Sequence, residues 1–312
     1  MTPNLLNLVA IKDDEKGSMY LGRLCWYTIP DNVAPSRAEV EDAFDELGLP
    51  KEWLPLPIKG PDAFRRASAQ LERKNIELDE NTHANLLVRE VVCDKRGIER
   101  HLIWEVRDAQ ERRLSYQKVA AVRYDRDYES ATAEAEIWAP AVAQEACDAF
   151  GGLYSFCQEH YDGGAVRKTV ARMVYNLMAV AVRPSGAVYF VPEKRASELA
   201  KVGGFVKALG AEYFEVPVMD AADTKDMVLR NLKESVGQAI SSLADTLKDP
   251  KVSKGAISVC LSETKHLIEQ VNEYKSLLQM NLADLSSKLE LLKLQALSLV
   301  DKAGAVGSEA AE

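Results

Sequence analysis

The last third of the chain carries the pattern that most restricts how it can fold. Between Ile257 and Leu299 an apolar side chain recurs in alternating steps of four and three residues over seven heptads. Such spacing is typical of a coiled coil, in which one helix meets another along a narrow apolar seam. The seam residues are Ile257, Leu261, Ile268, Val271, Leu278, Leu282, Leu285, Leu289, Leu292, Ala296 and Leu299, with Thr264 and Lys275 as polar exceptions. The pattern predicts contact with a partner helix and no chemistry.

A second apolar stripe precedes the seam and predicts a helix from Ala222 that ends at Lys248-Asp249-Pro250. At about 1.5 Å per residue this helix is roughly 39 Å long, whereas the heptad helix is roughly 70 Å long. Folding back as a hairpin would cover only about half of the longer seam. We therefore expect the other half to need the globular body or a second copy of the chain. Lys275 on the seam would set register or oligomeric state, or extend its stem to water.

Upstream of residue 222 strands and helices are mixed without regular alternation. Period-two stretches predict four antiparallel strands joined as a meander, near residues 85–94, 99–108, 115–124 and 131–138. Helices are predicted from Ser36 to Leu47, over residues 62–74, from Pro140 to about His160, from Ala165 to Leu177 and from Ser197 to Leu209. The predicted fold class is α+β, with a mixed, mainly antiparallel sheet in the body and a long C-terminal helical hairpin or coiled coil.

The predicted domain organisation follows from this change of pattern. Residues 1–221 form an α+β body, which could divide further into blocks 1–139 and 140–221. Residues 222–302 form the helical hairpin, and residues 303–312 form a flexible tail.

Composition limits the classes of function. The formal charge of −9 and the pI near 5.2 argue against a chain that coats nucleic acid over its whole surface. The N-terminus lacks the basic region and cleavage site of a signal peptide, and no window is apolar enough to span a membrane. Five scattered cysteines in a chain without export signals do not predict a disulfide framework. We expect a cytoplasmic protein.

One helix carries a local basic face. Arg167, Lys168 and Arg172 lie on the helix that leads into a predicted β-hairpin, and Arg183 stands within that hairpin. A helix followed by a two-stranded wing is the arrangement of a winged-helix module, whose basic residues face phosphates and base edges. The alternative is the solvated face of an ordinary amphipathic helix, because the sequence does not clearly show the three-helix core of such a module.

No recognised catalytic or metal-binding pattern is present in the sequence. Cys157 and His160 have the spacing of half a zinc site, but no second pair at ligand spacing exists. The glycine pairs are not followed by the Lys-Ser/Thr of a phosphate loop, and there is no nucleophile elbow. We therefore predict no cofactor, no metal and no catalytic residue.

The run Arg183-Pro184-Ser185-Gly186-Ala187, continued by Val188-Tyr189-Phe190-Val191-Pro192, carries a resemblance. With the segments 205–210 and 216–220 it resembles an uncharacterised family of proteins carried by phages, plasmids and bacterial mobile elements. The likeness covers roughly Ala165 to Val300, and relatives often have Gly-Gly where this chain has Gly186-Ala187. The resemblance implies a biological context and no activity.

Two main hypotheses and a third remain open. The first is a non-enzymatic assembly or interaction protein of a phage or mobile-element system, which self-associates or docks a partner protein through its helical hairpin. The second is a nucleic-acid-binding accessory factor that uses the helix-plus-wing surface. The third is an enzyme of unrecognised type. No membrane partner is expected.

Overall fold

A computed structural model describes residues 20–183, 188–249, 252–279 and 283–308, without the side chains of residues 283, 284 and 301–308. It confirms the α+β class, with two antiparallel sheets and helices at the C-terminus. The chain divides into two compact units, of which one comprises residues 30–169 and the other residues 1–29 with 170–312. We call them the meander unit and the bundle unit. The two units do not meet at residue 221, and the boundary predicted there, between an α+β body and a helical hairpin, stays a prediction.

The meander unit contains a five-stranded sheet in the order β2-β3-β4-β5-β6, and the predicted meander is therefore confirmed. Its strands are β2 (Arg73–Asp79), β3 (Thr82–Cys93), β4 (Gly97–Asp108), β5 (Arg113–Asp125) and β6 (Ser130–Ala135), and its helices are α1 (Arg37–Leu47), α2 (Gly60–Ala69) and α3 (Ala141–Glu159). The predicted helix over residues 62–74 is wrong at its end, because α2 stops at Ala69 and β2 begins at Arg73.

Local chemistry explains the bounds of α1. Ser36 Oγ accepts from the backbone N–H of Glu39, and the Glu39 carboxylate accepts from the N–H of Ser36. This capping box satisfies two N–H groups that the first helical turn leaves free. At the other end Gly48 adopts a left-handed conformation with φ of 58°, which costs glycine little.

Helices α2 and α3 pack on one face of the meander sheet through aromatic rings. Phe64 lies between Phe150 and Tyr124, with ring centroids 5.9 Å apart in both pairs, and Tyr154 stacks on Phe150 at 6.3 Å. Because large aromatic side chains bury the most apolar area per residue, this cluster dominates the core of the unit.

On the sheet face away from this core, a buried carboxylate is held by two arginines. Glu105 is 2% exposed and accepts from Arg107 Nε at 2.9 Å and Arg113 Nε at 2.8 Å, with Asn85 Nδ2 at 3.3 Å. The hydrogen bonds from Arg107 outweigh the effect of burial and lower the pKa of Glu105 to about 2. The charge is thus paired, as a buried charge must be.

The bundle unit contains a four-stranded antiparallel sheet in the order β7-β8-β1-β9. Its strands are β1 (Tyr20–Thr28), β7 (Val180–Ala181), β8 (Val188–Pro192) and β9 (Glu212–Met219), and its helices include α5 (Ala196–Ala208), α6 (Ala222–Lys248), α7 (Lys254–Leu278) and α8 (Ala283–Ser308). Helix α4 (Gly163–Asn176) contains the boundary between the two units. Helix α5 packs on β9, β1 and β8, and side chains of β1 and β8 share a core with α6, α7 and α8.

The predicted single helix along the heptads is wrong. Helix α7 ends at Leu278, Gln279 adopts a left-handed conformation with φ of 50°, and α8 begins at Ala283. Helices α6, α7 and α8 therefore have 27, 25 and 26 residues, which corresponds to roughly 40 Å each. Helix α8 packs on both α6 and α7. The mismatch in length, which was the reason to expect a second copy at the seam, does not exist. Helix α8 also extends to Ser308, into the predicted tail.

In the described parts of the chain, no helix combines the length and the apolar character needed to cross a bilayer.

Candidate interaction surface

Most of the predicted seam lies inside the bundle unit. Exposure is 2% or less for Ile257, Val271, Leu278, Leu285, Leu289, Leu292 and Leu299. They share one apolar core with Leu21 of β1 and Phe190 of β8. Thr264 is buried as well, and its hydroxyl donates to the carbonyl of Cys260 at 2.8 Å. Leu282 lies outside the described residues. Since these side chains are already covered by their own chain, they offer little surface to a partner.

The second line of seam positions in α7 is displaced by one residue from the predicted one. Leu261, Ile268 and Lys275 are half-buried, whereas Leu267 is 9% exposed and Tyr274 is fully buried. A helix that meets partners on two sides buries more than a single stripe, and α7 contacts both α6 and α8. Lys275 therefore stands beside the seam, and a tyrosine occupies the interior.

Polar side chains of α7 attach it to the edge of the sheet. Tyr274 Oη donates to the carbonyl of Met178 at 2.9 Å, and the carbonyl of Phe190 lies 3.4 Å away. Gln270 is 6% exposed, and its Nε2 donates to the carbonyl of Ala179 at 2.7 Å. Burial raises the pKa of Tyr274 well above its usual value, so the phenol stays a donor. These bonds satisfy backbone carbonyls before and beside the edge strand β7, groups that would otherwise be costly to bury.

Sequence reasoning missed Gln270 and Tyr274, although a signal for them exists. Each directly precedes a predicted seam position, Val271 or Lys275, and each has a long polar side chain with an apolar stem or ring. A buried glutamine or tyrosine nearly always has a hydrogen-bond partner. Their positions could have indicated contact with backbone outside the helices.

The outer side of α8 exposes a group of large apolar side chains. Leu291 is 46% exposed, Leu294 and Leu297 are each 62% exposed, and Val300 is 50% exposed. We call these four residues the α8 outer face. An amphipathic helix normally places charged residues opposite its buried stripe, whereas residues 294–300 of α8 carry no charge. The leucines outside the heptad positions were the signal for this face in the sequence.

A smaller exposed apolar site lies in the meander unit, between β6 and α3. Ile137 is fully exposed, and Trp138 is 59% exposed. These neighbouring side chains are a competing surface for any interaction, because exposed tryptophan is common at binding sites.

The structure spreads the four predicted nucleic-acid-binding residues over α4 and the β7–β8 connection. Arg167 forms an ion pair with Asp31 at 2.7 Å, and Lys168 and Arg183 are exposed. Arg172 is half-buried, and its Nε is a buried atom without a hydrogen-bond acceptor among the described residues. The strand after the turn, β8, pairs with both β7 and β1 inside the sheet, so the hairpin is no free wing. The role of these residues in binding nucleic acid remains a prediction.

The half-site for zinc at Cys157 and His160 has other contacts. Gln70 Nε2 donates to the buried Cys157 Sγ at 3.4 Å, and burial raises the pKa of this thiol. The His160 ring stacks on Phe156 with centroids 3.9 Å apart. Within the described ranges, no group of three or more His, Cys, Asp or Glu residues is arranged to hold a metal ion.

Two antiparallel sheets, one of them sharing a core with a layer of three long helices, together define an α+β protein with an uncovered apolar helix face. The profile of DUF6744, a family of unknown function, matches residues 20–305. The chain belongs to this family. No curated protein and no solved structure matches the chain.

Proposed function

We propose that the chain is a non-enzymatic assembly protein that associates with a second copy of itself through the α8 outer face. The observation that carries the proposal is the set of four aliphatic side chains, 46–62% exposed, on a helix whose other side is already buried. The proposal keeps the predicted interaction role but assigns the contact to the α8 outer face, because most residues of the predicted seam are buried.

Charge favours a second copy as the occupant of this face. The whole chain carries a formal charge of −9, so most of its surface repels another copy. Residues 294–300 carry no charge, and the nearest charged residues upstream, Glu290 and Lys293, pair with each other at 2.8 Å. Two copies can meet here without like-charge repulsion. Because the same patch serves both partners, the contact is a closed twofold dimer.

Magnitudes predict a weak dimer. Covering eight half-exposed aliphatic side chains, four from each copy, gives about 8 kcal/mol. Association itself costs at least about 4 kcal/mol, and a stable complex usually covers about 800 Å² on each partner. At the lower bound of that cost about 4 kcal/mol remains, which predicts a dissociation constant of about 1 mM and suits an assembly that forms only at high local concentration.

Light scattering of three variants tests the proposal. The double variant Leu294→Glu/Leu297→Glu puts charges into the apolar contact and should remain monomeric at concentrations where the wild-type chain dimerises. Val259→Glu is the matched control, because Val259 is an aliphatic residue of α7 with 58% exposure and lies outside the α8 outer face. This control should dimerise like the wild type.

Trp138→Glu examines the competing surface of the meander unit. Loss of association in this variant but not in the α8 double variant would contradict the proposal. Leu289→Asp is unsuitable for the test, since Leu289 is 2% exposed and a charge there would disrupt the bundle core.

The mobile-element context is proposed as well, on the basis of the resemblance around Arg183 to Pro192. Residues 184–187 of that run lie outside the described residues. The identity of neighbouring genes tests this context, because an assembly factor is expected beside the components it joins.

A further inference from the structure

A cleft lies within the bundle unit beside the edge strand β7. It has a volume of about 570 Å³ and is bounded by α4, α6, α7 and the strands β7 and β8. This volume lies within the roughly 300–1,000 Å³ range of small-molecule sites. Small side chains, among them Ala171, Ala181 and Ala239, leave the space open. The cleft is separate from the α8 outer face and does not depend on the proposed dimer.

The charge of the lining restricts the ligand. Among the described residues that line the cleft there is no lysine or arginine, and Glu263 is the charged one. A phosphate or carboxylate group would lose its hydration without gaining a cationic partner. Anionic ligands are therefore disfavoured, whereas neutral and cationic ones are not.

Two stacked rings form one wall. The rings of Tyr175 and His266 have centroids 3.6 Å apart, and Tyr189 also lines the cleft. Flat aromatic walls favour planar apolar groups and, through the negative faces of their rings, cations.

The same wall contains a histidine nitrogen that is free to accept a hydrogen bond. The His266 ring hydrogen-bonds the backbone of Tyr175, and its Nε2 is a buried atom without a hydrogen-bond partner among the described residues. Burial lowers the pKa of His266, so the ring is neutral at pH 7 and its second nitrogen is an acceptor. The Glu263 carboxylate at the same cleft is a second acceptor, beside the hydroxyl groups of Tyr175 and Ser242, which can donate or accept.

We infer that the β7 cleft binds a small planar aromatic molecule that carries an amine or other hydrogen-bond donors and no acidic group. The aromatic body occupies the space over Tyr175 and His266, and the donor group faces Glu263.

Calorimetric titration with two probes of similar shape and opposite charge tests this inference. Tryptamine, an aromatic amine, should bind saturably, and indole-3-acetate should bind at least tenfold more weakly. Glu263→Gln should weaken tryptamine binding about threefold, as expected for loss of one partly solvated charge. Glu212→Gln, at an exposed glutamate of β9 outside the cleft, is the control and should leave binding unchanged.

A cleft-filling variant locates the site. Ala239→Leu should reduce tryptamine binding at least tenfold, and Ser242→Trp, at an exposed lining residue, should do the same if Ala239→Leu does not fold. Absence of saturable tryptamine binding at millimolar concentration would overturn the inference. So would equal affinity for the two probes, or binding that both filling variants leave intact.

Discussion

Tyr274 combines the largest fully buried side chain of the described core with a hydrogen bond to backbone of another element. Replacing it with phenylalanine keeps the ring and removes the hydroxyl, which leaves the Met178 carbonyl without its donor. Such a buried unsatisfied group costs about 1–3 kcal/mol. We predict that Tyr274→Phe lowers the free energy of unfolding by this amount in urea denaturation.

Tyr128→Phe is the matched control for that measurement. Tyr128 is 82% exposed, so loss of its hydroxyl should change the free energy of unfolding by less than about 0.5 kcal/mol. Equal effects of the two substitutions would show that the Tyr274 hydroxyl is not bonded inside the bundle unit.

The paired carboxylate of Glu105 predicts a specific dependence on pH. Its pKa falls from the ordinary 4.5 to about 2 on folding, so the charged form stabilises the folded state above pH 4.5. This contribution is lost as the pH falls from 4.5 towards 2. We predict that Glu105→Gln is less stable than the wild type at pH 7 and that the difference shrinks as the pH falls below 4.5.

Urea denaturation between pH 7 and pH 3 measures this difference, with Glu134→Gln as control. The Glu134 side chain is 79% exposed, so its removal should change stability little at any pH. A difference between wild type and Glu105→Gln that stays constant over the whole range would contradict the assigned ion pairs.

At the level of elements, the left-handed residue after α7 divides the heptad segment into two helices, α7 and α8. Gln279 has φ of 50°, a conformation that glycine adopts with less strain. We predict that Gln279→Gly raises the free energy of unfolding by about 0.4–1 kcal/mol. In a continuous helix the same substitution would lower it by a similar amount.

Lys265→Gly is the control that shows how a substitution to glycine changes the free energy of unfolding inside a continuous helix. Lys265 is exposed in the middle of α7, where glycine should cost about 0.7 kcal/mol. If Gln279→Gly were as destabilising as Lys265→Gly, the two-helix description would be wrong.

Several elements could be predicted from the sequence because their signals are local. The capping box at Ser36 defines the start of α1, and Pro140 precedes α3 as the helix rules require. The break after Leu278 could not be predicted in this way, since no glycine or proline marks it and the apolar spacing continues across it. Strand β2 was missed because its apolar alternation is weak, with six of its seven residues exposed and Ile76 half-buried.

At the scale of the whole molecule, the spacing of apolar residues predicts which side of a helix is buried, but not which element covers it. Leu289 and Leu294 both belong to the leucine-rich C-terminal segment, yet one is 2% exposed and the other 62% exposed. The difference arises from the packing of α8 on α6 and α7. The candidate surface could therefore be located only once the fold of the helices was known.

The association of two chains through the α8 outer face is tested most directly by sedimentation equilibrium of the wild-type chain. From low micromolar to about 1 mM protein, the weight-average mass should rise from 34.5 kDa to about 1.5 times that value. A mass that stays at 34.5 kDa throughout this range would contradict the proposed dimer.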